Sequence, residues 1–300
     1  MQRQDWTGVL PAITTPFAPD GSLDEAALTG HVSWLLDSGC RGIVVLGSLG
    51  EGATLREEEK RQVMELCVRA ATGRAPVIAG ISGLATAECV DLARTAERAG
   101  CAGLMVLPPY VYRGDWRETE AHFSAVLSAT TLSAMIYNNP IAYGTDLTAR
   151  EIESLADRHP NVHAVKESSG DVRRITALRV TLGDRLALLA GLDDMIVEAV
   201  GVGAVGWVAG LVNALPVESV RLFELARDGR RDEAMRLYEW FLPLLRFDTV
   251  PKFVQLIKLV QAEVGKGSEL VRPPRLPLTG VERAAALAVI RARLEDRPAM

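Results

Sequence analysis

The sequence predicts a (β/α)8 TIM barrel with a C-terminal α-helical domain. Short β-rich runs alternate with helical patterns as far as Asp228–Gly229. Such alternation implies parallel βαβ units, because each helix carries the chain back to the start of the next strand. Eight units at short spacing favour a closed barrel over an open doubly wound sheet. Past Gly229 only helical patterns remain, so the barrel is expected over residues 1–228 and the helical domain over 229–300.

The expected strands are Val9–Thr14, Gly42–Leu46, Pro76–Ile81, Gly103–Leu107, Ser133–Tyr137, Val162–Glu167, Leu186–Ala190 and Ala204–Val208. Helices are expected over Asp24–Ser38, Arg56–Thr72, Thr86–Ala99, Trp116–Ala129, Thr148–Arg158, Val172–Leu182, Met195–Val200 and Val217–Arg227. Asp24 before Glu25, and Thr148 three residues before Glu151, are helix-start signals. Gly39 and Gly100 fall just past helix ends, where a left-handed residue is wanted. The last helices are expected over Arg231–Phe247, Val250–Val264 and Val281–Leu294, with Pro243 kinking the first.

Composition narrows the function. Hydrophobic residues make up 48% of the 300, enough for a large core. A net charge of -5 argues against nucleic acid or an anionic membrane as main partner. No apolar run reaches spanning length and no secretion signal opens the chain, so a cytoplasmic protein is expected. Cys40, Cys67, Cys89 and Cys101 lie far apart without a CxxC pair, as in a reduced compartment.

Chemistry concentrates at strand ends. In Val162–Glu167 side chains alternate, so Val162, Ala164 and Lys166 share one face. A lysine at the C-terminal end of a barrel strand enters the mouth, where the active sites of this fold lie. Desolvation there lowers its pKa, and a neutral amine attacks carbonyls to form imines. A lone lysine at a strand exit is more often an ordinary surface residue. Its companions shift the balance. Tyr137 closes the preceding strand and offers a phenol for proton transfer. The loop Gly47-Ser48-Leu49-Gly50-Glu51-Gly52 permits a tight turn whose amides suit a carboxylate. Ser48 could bond that carboxylate or relay protons to Tyr137.

Several other chemistries are excluded. Gly201-Val202-Gly203-Ala204-Val205-Gly206 spells GxGxxG, but it leaves a helix and enters a strand, the reverse of a dinucleotide site. His31, His122, His159 and His163 are scattered, so no metal is expected. No GxSxG elbow occurs.

Gly47-Ser48-Leu49-Gly50-Glu51, Tyr137-Asn138-Asn139-Pro140, Lys166-Glu167-Ser168-Ser169-Gly170-Asp171 and Gly191-Leu192-Asp193-Asp194 together resemble the motifs of the dihydrodipicolinate synthase/N-acetylneuraminate lyase family. The resemblance implies Lys166 as the imine-forming residue, Tyr137 as its proton shuttle and Ser48 as a relay. It implies substrate contacts from Gly47, Ser48, Leu49, Asn139, Tyr143, Gly191 and Val208, no cofactor beyond the lysine imine, and a homotetramer built as a dimer of dimers. Tyr110 is expected at the dimer interface.

Three positions depart from the synthase pattern. Leu49 stands where the synthases carry a relay threonine, Ala142 where they carry an arginine gripping the second substrate, and Val111 where they carry a shuttle tyrosine. Tyr137–Tyr143, Ser168–Arg174, Gly206–Gly210 and Arg272–Leu278 more closely resemble the 1-pyrroline-4-hydroxy-2-carboxylate deaminase branch of the family. The expected activity is therefore deamination and dehydration of that cyclic imine to 2-oxoglutarate semialdehyde. The alternatives are a 2-keto acid aldolase, 4-hydroxy-tetrahydrodipicolinate synthesis from pyruvate, and a catalytically silent binding barrel.

Overall fold

The computed structural model describes residues 1–110 and 112–299. Eight parallel strands form one sheet: β1 (Gly8–Pro11), β2 (Ile43–Val45), β3 (Val77–Ile81), β4 (Gly103–Val106), β5 (Ser133–Asn138), β6 (Val162–Glu167), β7 (Ala187–Ala190) and β8 (Gly206–Ala209). β8 pairs with β1, and a parallel bridge between Ala12 and Val44 closes the seam between β1 and β2. The Ile13 amide donates to the Val44 carbonyl across that seam at 2.9 Å. The result is the expected closed barrel.

The strands are buried along almost their whole length because helices cover the outside and side chains fill the inside. Trp6 plugs the strand-start end, where its indole donates to Ser133 Oγ at 2.8 Å. The helices are α1 (Glu25–Asp37), α2 (Glu57–Ala71), α3 (Thr86–Arg98), α4 (Trp116–Leu127), α5 (Pro140–Tyr143), α6 (Ala149–Arg158), α7 (Arg173–Leu182), α8 (Ile196–Gly201), α9 (Pro216–Arg227), α10 (Arg231–Leu245), α11 (Phe253–Glu263) and α12 (Gly280–Glu295). The predicted caps form. The Asp24 carboxylate accepts from the Ala27 amide, and Thr148 and Glu151 make a reciprocal capping box. Gly39 and Gly100 take φ of 98° and 85°.

Two differences from the expected elements matter later. The short helix α5 occupies what reads in sequence as a loop after Pro140. Asn139 caps its start, accepting from the Ala142 amide at 3.0 Å, and Gly144 ends it at φ 76°. The other difference lies between α10 and α11. α10 runs through Pro243 to Leu245, two residues short of the expected end, and tightens into a 3-10 turn over Arg246–Thr249. α11 starts at Phe253, three residues later than expected. Val250 is extended because it precedes Pro251, which disfavours helical backbone at the residue before it.

The C-terminal helices are locked to the barrel by a buried ion pair. Lys258 Nζ on α11 lies 2.6 Å from Glu51 Oε1 and also donates to the carbonyls of Thr15 and Leu270. The Arg272 amide donates to the other Glu51 oxygen at 2.9 Å.

The remaining polar residues read in sequence have structural surroundings. Each histidine has a hydroxyl or amide neighbour: His31 with Asn213, His122 with Thr86, His159 with Ser124 and His163 with Ser133. All four cysteines are buried, and burial pushes their thiols up. Gly203, in the GxGxxG run, takes φ 111°, and a Cβ there would strike Arg179. Among the described residues no three His, Cys, Asp or Glu side chains gather as a metal site. No helix among them is long and apolar enough to cross a membrane.

Candidate active site

The strand ends converge on a cavity of about 530 Å3 between the barrel mouth and the Arg246–Thr249 turn. Gly47, Ser48, Leu49, Tyr137, Asn139, Tyr143, Lys166, Gly191 and Val208 all line it. In the parallel register of β5 and β6, Tyr137 lies directly beside Lys166. Residues side by side on adjacent parallel strands project to the same face, here the barrel interior. Lys166 is 6% exposed and its Nζ sits 4.1 Å from the centre of the Tyr137 ring.

Burial lowers the Lys166 pKa below the ordinary lysine value, and the acidic groups around it pull the other way. The neutral amine that imine formation requires is therefore reached at lower pH than for a lysine in water. Space for the lysine stem comes from Gly191 at the end of β7. A Cβ there would lie 2.7 Å from Lys166 Cε and 1.9 Å from Ser168 Oγ. Glycine is required at 191 to make room for the lysine.

A line of hydroxyls runs beside the lysine. Asn139 Nδ2 donates to the Tyr137 hydroxyl at 2.9 Å. The Tyr143 ring meets the Tyr137 ring edge-on, with centroids 5.7 Å apart. The Tyr143 hydroxyl is hydrogen-bonded to Ser48 Oγ. Ser48 thus touches Tyr143, and its connection to Tyr137 runs through that second phenol. Burial raises the pKa of both tyrosines, which keeps the phenols protonated and able to donate. α5 creates this arrangement by folding Tyr143 back over the mouth. Asn139 lines the cavity, but both ends of its amide are engaged within the protein, on Tyr137 and on the Ala142 amide. It positions the tyrosine.

The Gly-rich loop is shaped by two non-glycine residues in left-handed conformation, Leu46 at φ 61° and Glu51 at φ 54°. Glu51 does not face the cavity. Its carboxylate is spent on Lys258 and the Arg272 amide, so it anchors the loop. Among the described residues the Ser48 and Leu49 amides have no protein acceptor. Tyr110 is partly buried against Tyr143 in its own chain, with ring centroids 6.0 Å apart. Val111, where the sequence departs from the synthase shuttle tyrosine, lies outside the described residues.

Two acidic residues bear on the site without having been assigned a role in it from the sequence. Asp193 is fully buried and accepts from the Trp207 indole and from the amides of Gly210 and Leu211. Burial nevertheless pushes it up to about 6. Asp248 lines the cavity from the 3-10 turn. The Gly191-Leu192-Asp193-Asp194 motif signalled Asp193, whereas no motif marks Asp248.

A buried lysine at a barrel mouth, with a phenol beside it, defines an enzyme of the class I lyase type, which works through a lysine imine. The chain belongs to the dihydrodipicolinate synthetase family, whose profile matches residues 5–293. It is 32% identical over 282 residues to a 4-hydroxy-tetrahydrodipicolinate synthase of Rhizobium meliloti, covering 94% of this chain and 95% of that one. It is 33% identical to the Mesorhizobium japonicum protein of the same name, with the same coverage. Among solved structures, dihydrodipicolinate synthase from Aquifex aeolicus matches with a TM-score of 0.91 at 28% identity, over 96% of this chain and 98% of that one. The Acinetobacter baumannii enzyme, solved with pyruvate, matches with the same score, identity and coverage.

Proposed function

We propose that this enzyme acts on 1-pyrroline-4-hydroxy-2-carboxylate, releasing 2-oxoglutarate semialdehyde and ammonia. The single observation that carries the lyase chemistry is Lys166 Nζ, buried 4.1 Å from the Tyr137 ring at the mouth of the barrel. The choice of substrate rests on the cavity wall. Ala142 lines it where the synthases have a gripping arginine, and Leu49 makes the neighbouring wall apolar. The guanidinium of Arg275, also at the cavity, lies 3.9 Å from the Glu51 carboxylate, which partly offsets its charge. Such a cavity suits a substrate with one carboxylate, held by the free Ser48 and Leu49 amides, better than a pair carrying two.

In this reading Lys166 adds to C2, which is already an imine carbon, Tyr137 gives its proton to the ring nitrogen, and the ring C2–N bond breaks to leave a primary amine on C5. The enzyme-bound imine acidifies the C3 protons, because the carbanion delocalises as an enamine. The Tyr137 phenolate left by the first step takes that proton, with Tyr143 and Ser48 beside it as a relay. The 4-hydroxyl is lost as water. One proton each then leaves C5 and its amine while C3 and C4 gain one each, which turns the amine into a second imine, and two waters hydrolyse the two carbon–nitrogen double bonds, freeing ammonia, the product and Lys166. The imine itself is the electron sink, so the reading calls for no cofactor. It includes a homotetramer in which Tyr110 lies near a subunit contact.

The second reading is a pyruvate-using aldolase or synthase, favoured by the names of the relatives and by the pyruvate bound to the Acinetobacter baumannii enzyme. A coupled assay separates them. Ammonia and semialdehyde from the pyrroline support the first. Turnover of pyruvate with aspartate semialdehyde, or pyruvate release by retro-aldol cleavage, without ammonia from the pyrroline, supports the second.

A further inference from the structure

We propose that Asp248 is the general acid that protonates the substrate oxygen farthest from Lys166, so that the 4-hydroxyl departs as water. The inference rests on the lyase reading above and assigns a chemical part to a residue of the C-terminal domain.

The geometry begins with the turn between α10 and α11. Arg246–Thr249 leaves the helix at the barrel mouth, and Asp248, Thr249 and Val250 form one wall of the cavity that holds Lys166. Asp248 packs down onto the end of β8. A Cβ at Gly210 would lie 2.3 Å from Asp248 Oδ1, so the carboxyl occupies the space that glycine leaves. The turn is fastened to the loop after β7. The Arg246 guanidinium lies 3.9 Å from the Asp194 carboxylate, and the Tyr238 hydroxyl on α10 donates to the Asp194 carbonyl. Asp248 is therefore held at the wall by its neighbours.

Its charge state follows from those neighbours. Asp193, Asp194 and Lys166 face it. Among the described residues no basic nitrogen lies within 4.0 Å of its carboxylate. Asp193 has the Trp207 indole and two amides to hold a negative charge. Asp248 has no comparable set. Burial, and then the nearby Asp193, push its carboxyl well above the usual range, while Lys166 pulls the other way. Two carboxyl groups that cannot both ionise easily share one proton, and the partner with more hydrogen-bond donors keeps the charge. Here Asp193 is the carboxylate and Asp248 the acid.

The step balances. Once the C3 proton has gone to the Tyr137 phenolate, the enamine electron pair forms the C3–C4 double bond. The C4–O bond breaks as the Asp248 proton moves to the departing oxygen, and water leaves. The Asp248 carboxylate then takes the proton lost from C5 as the dienamine forms, which restores the acid.

The experiment compares wild type with Asp248→Asn and Asp248→Glu in two reactions. Exchange of pyruvate methyl protons in D2O needs the imine and the enamine but expels no oxygen. Turnover of the pyrroline, read as ammonia, needs both. Asp248→Asn should keep exchange within about threefold of wild type and lose turnover by about 100-fold or more, with partial recovery in Asp248→Glu. The alkaline fall in wild-type kcat, where the acid ionises, should disappear in Asp248→Asn. Turnover in that variant close to wild type would overturn the assignment. So would exchange falling in step with turnover, which would make Asp248 a positioning residue for Lys166. If the wild type releases no ammonia from the pyrroline, the substrate reading fails instead. Asp248 is then judged by the same comparison in the aldol condensation the enzyme performs, where the aldehyde oxygen needs the proton.

Discussion

Gly191 and Lys166 occupy one space: a Cβ at position 191 would sit 2.7 Å from the lysine's Cε and 2.9 Å from its Cγ. The two residues are neighbours across β6 and β7, and the contact involves the inner stem of the lysine. A Cβ that close forces the stem to shift. Gly191→Ala should therefore leave the fold intact while moving the amine off its position beside Tyr137. We expect imine trapping by borohydride to fall by about 100-fold, since displacement of a reacting group by about 1 Å costs that much. Trapping at the wild-type rate would mean that the lysine has room to spare.

Lys166 should also show its burial in a pH profile. Its folded pKa lies below the ordinary lysine value, so the reactive neutral amine fills in earlier as pH rises. The rate of borohydride-trapped adduct formation with pyruvate should climb with pH and level off below the titration range of a free lysine. A profile that keeps rising through the ordinary lysine range would contradict the account.

Tyr137→Phe removes one hydroxyl and keeps the ring that covers Lys166. The expected loss is ~10²–10⁴ in kcat, the usual scale for a proton-transfer group, with a native circular dichroism spectrum. Tyr143→Phe cuts the line between Ser48 and Tyr137 and should reduce kcat as well. A near wild-type kcat in Tyr137→Phe, paired with a large loss in Tyr143→Phe, would assign the shuttle to Tyr143.

The barrel and its mouth were legible in the sequence because they follow local rules. Period-two alternation sets Lys166 and Tyr137 on inward faces, and strand order makes them neighbours. Asp248 was hidden for a local reason too. The helical pattern through Phe247 reads as continuous, and only the Pro251 effect on Val250 turns the chain into the cavity. Glu51 was illegible for the opposite reason. Its partner Lys258 lies 207 residues away, and no local rule pairs a loop carboxylate with a distant helix. Tyr143 falls between these cases: Pro140 and Gly144 mark a short helix once the Asn139 cap is considered.

That distant pair should dominate the stability of the interface between barrel and C-terminal helices. Lys258 and Glu51 are both almost entirely buried. Lys258→Met leaves the carboxylate with fewer partners in a dry place, and removing one member of a buried pair costs roughly 3–5 kcal/mol. Urea denaturation should read a loss of that order. The double variant Glu51→Gln with Lys258→Met should lose less than Lys258→Met alone.

His31 supplies a pH signature of stability. Burial lowers its pKa from 6.5 to about 4, with Asn213 bonded to the ring and the Lys266 charge nearby. Its folded value lies below its unfolded one, so between about pH 6.5 and 4 the unfolded chain binds the extra proton. Stability is full above that window and falls as pH drops through it, by roughly 3 kcal/mol in total. In His31→Gln this slope should flatten when urea midpoints are compared across the window.

The central claim is a covalent imine at Lys166 on the path to ammonia. Borohydride added during turnover of 1-pyrroline-4-hydroxy-2-carboxylate should leave one stable adduct, and peptide mass spectrometry should find it on the peptide containing Lys166. Lys166→Ala should give neither adduct nor ammonia. An adduct on another lysine, or undiminished ammonia release from Lys166→Ala, would contradict the account.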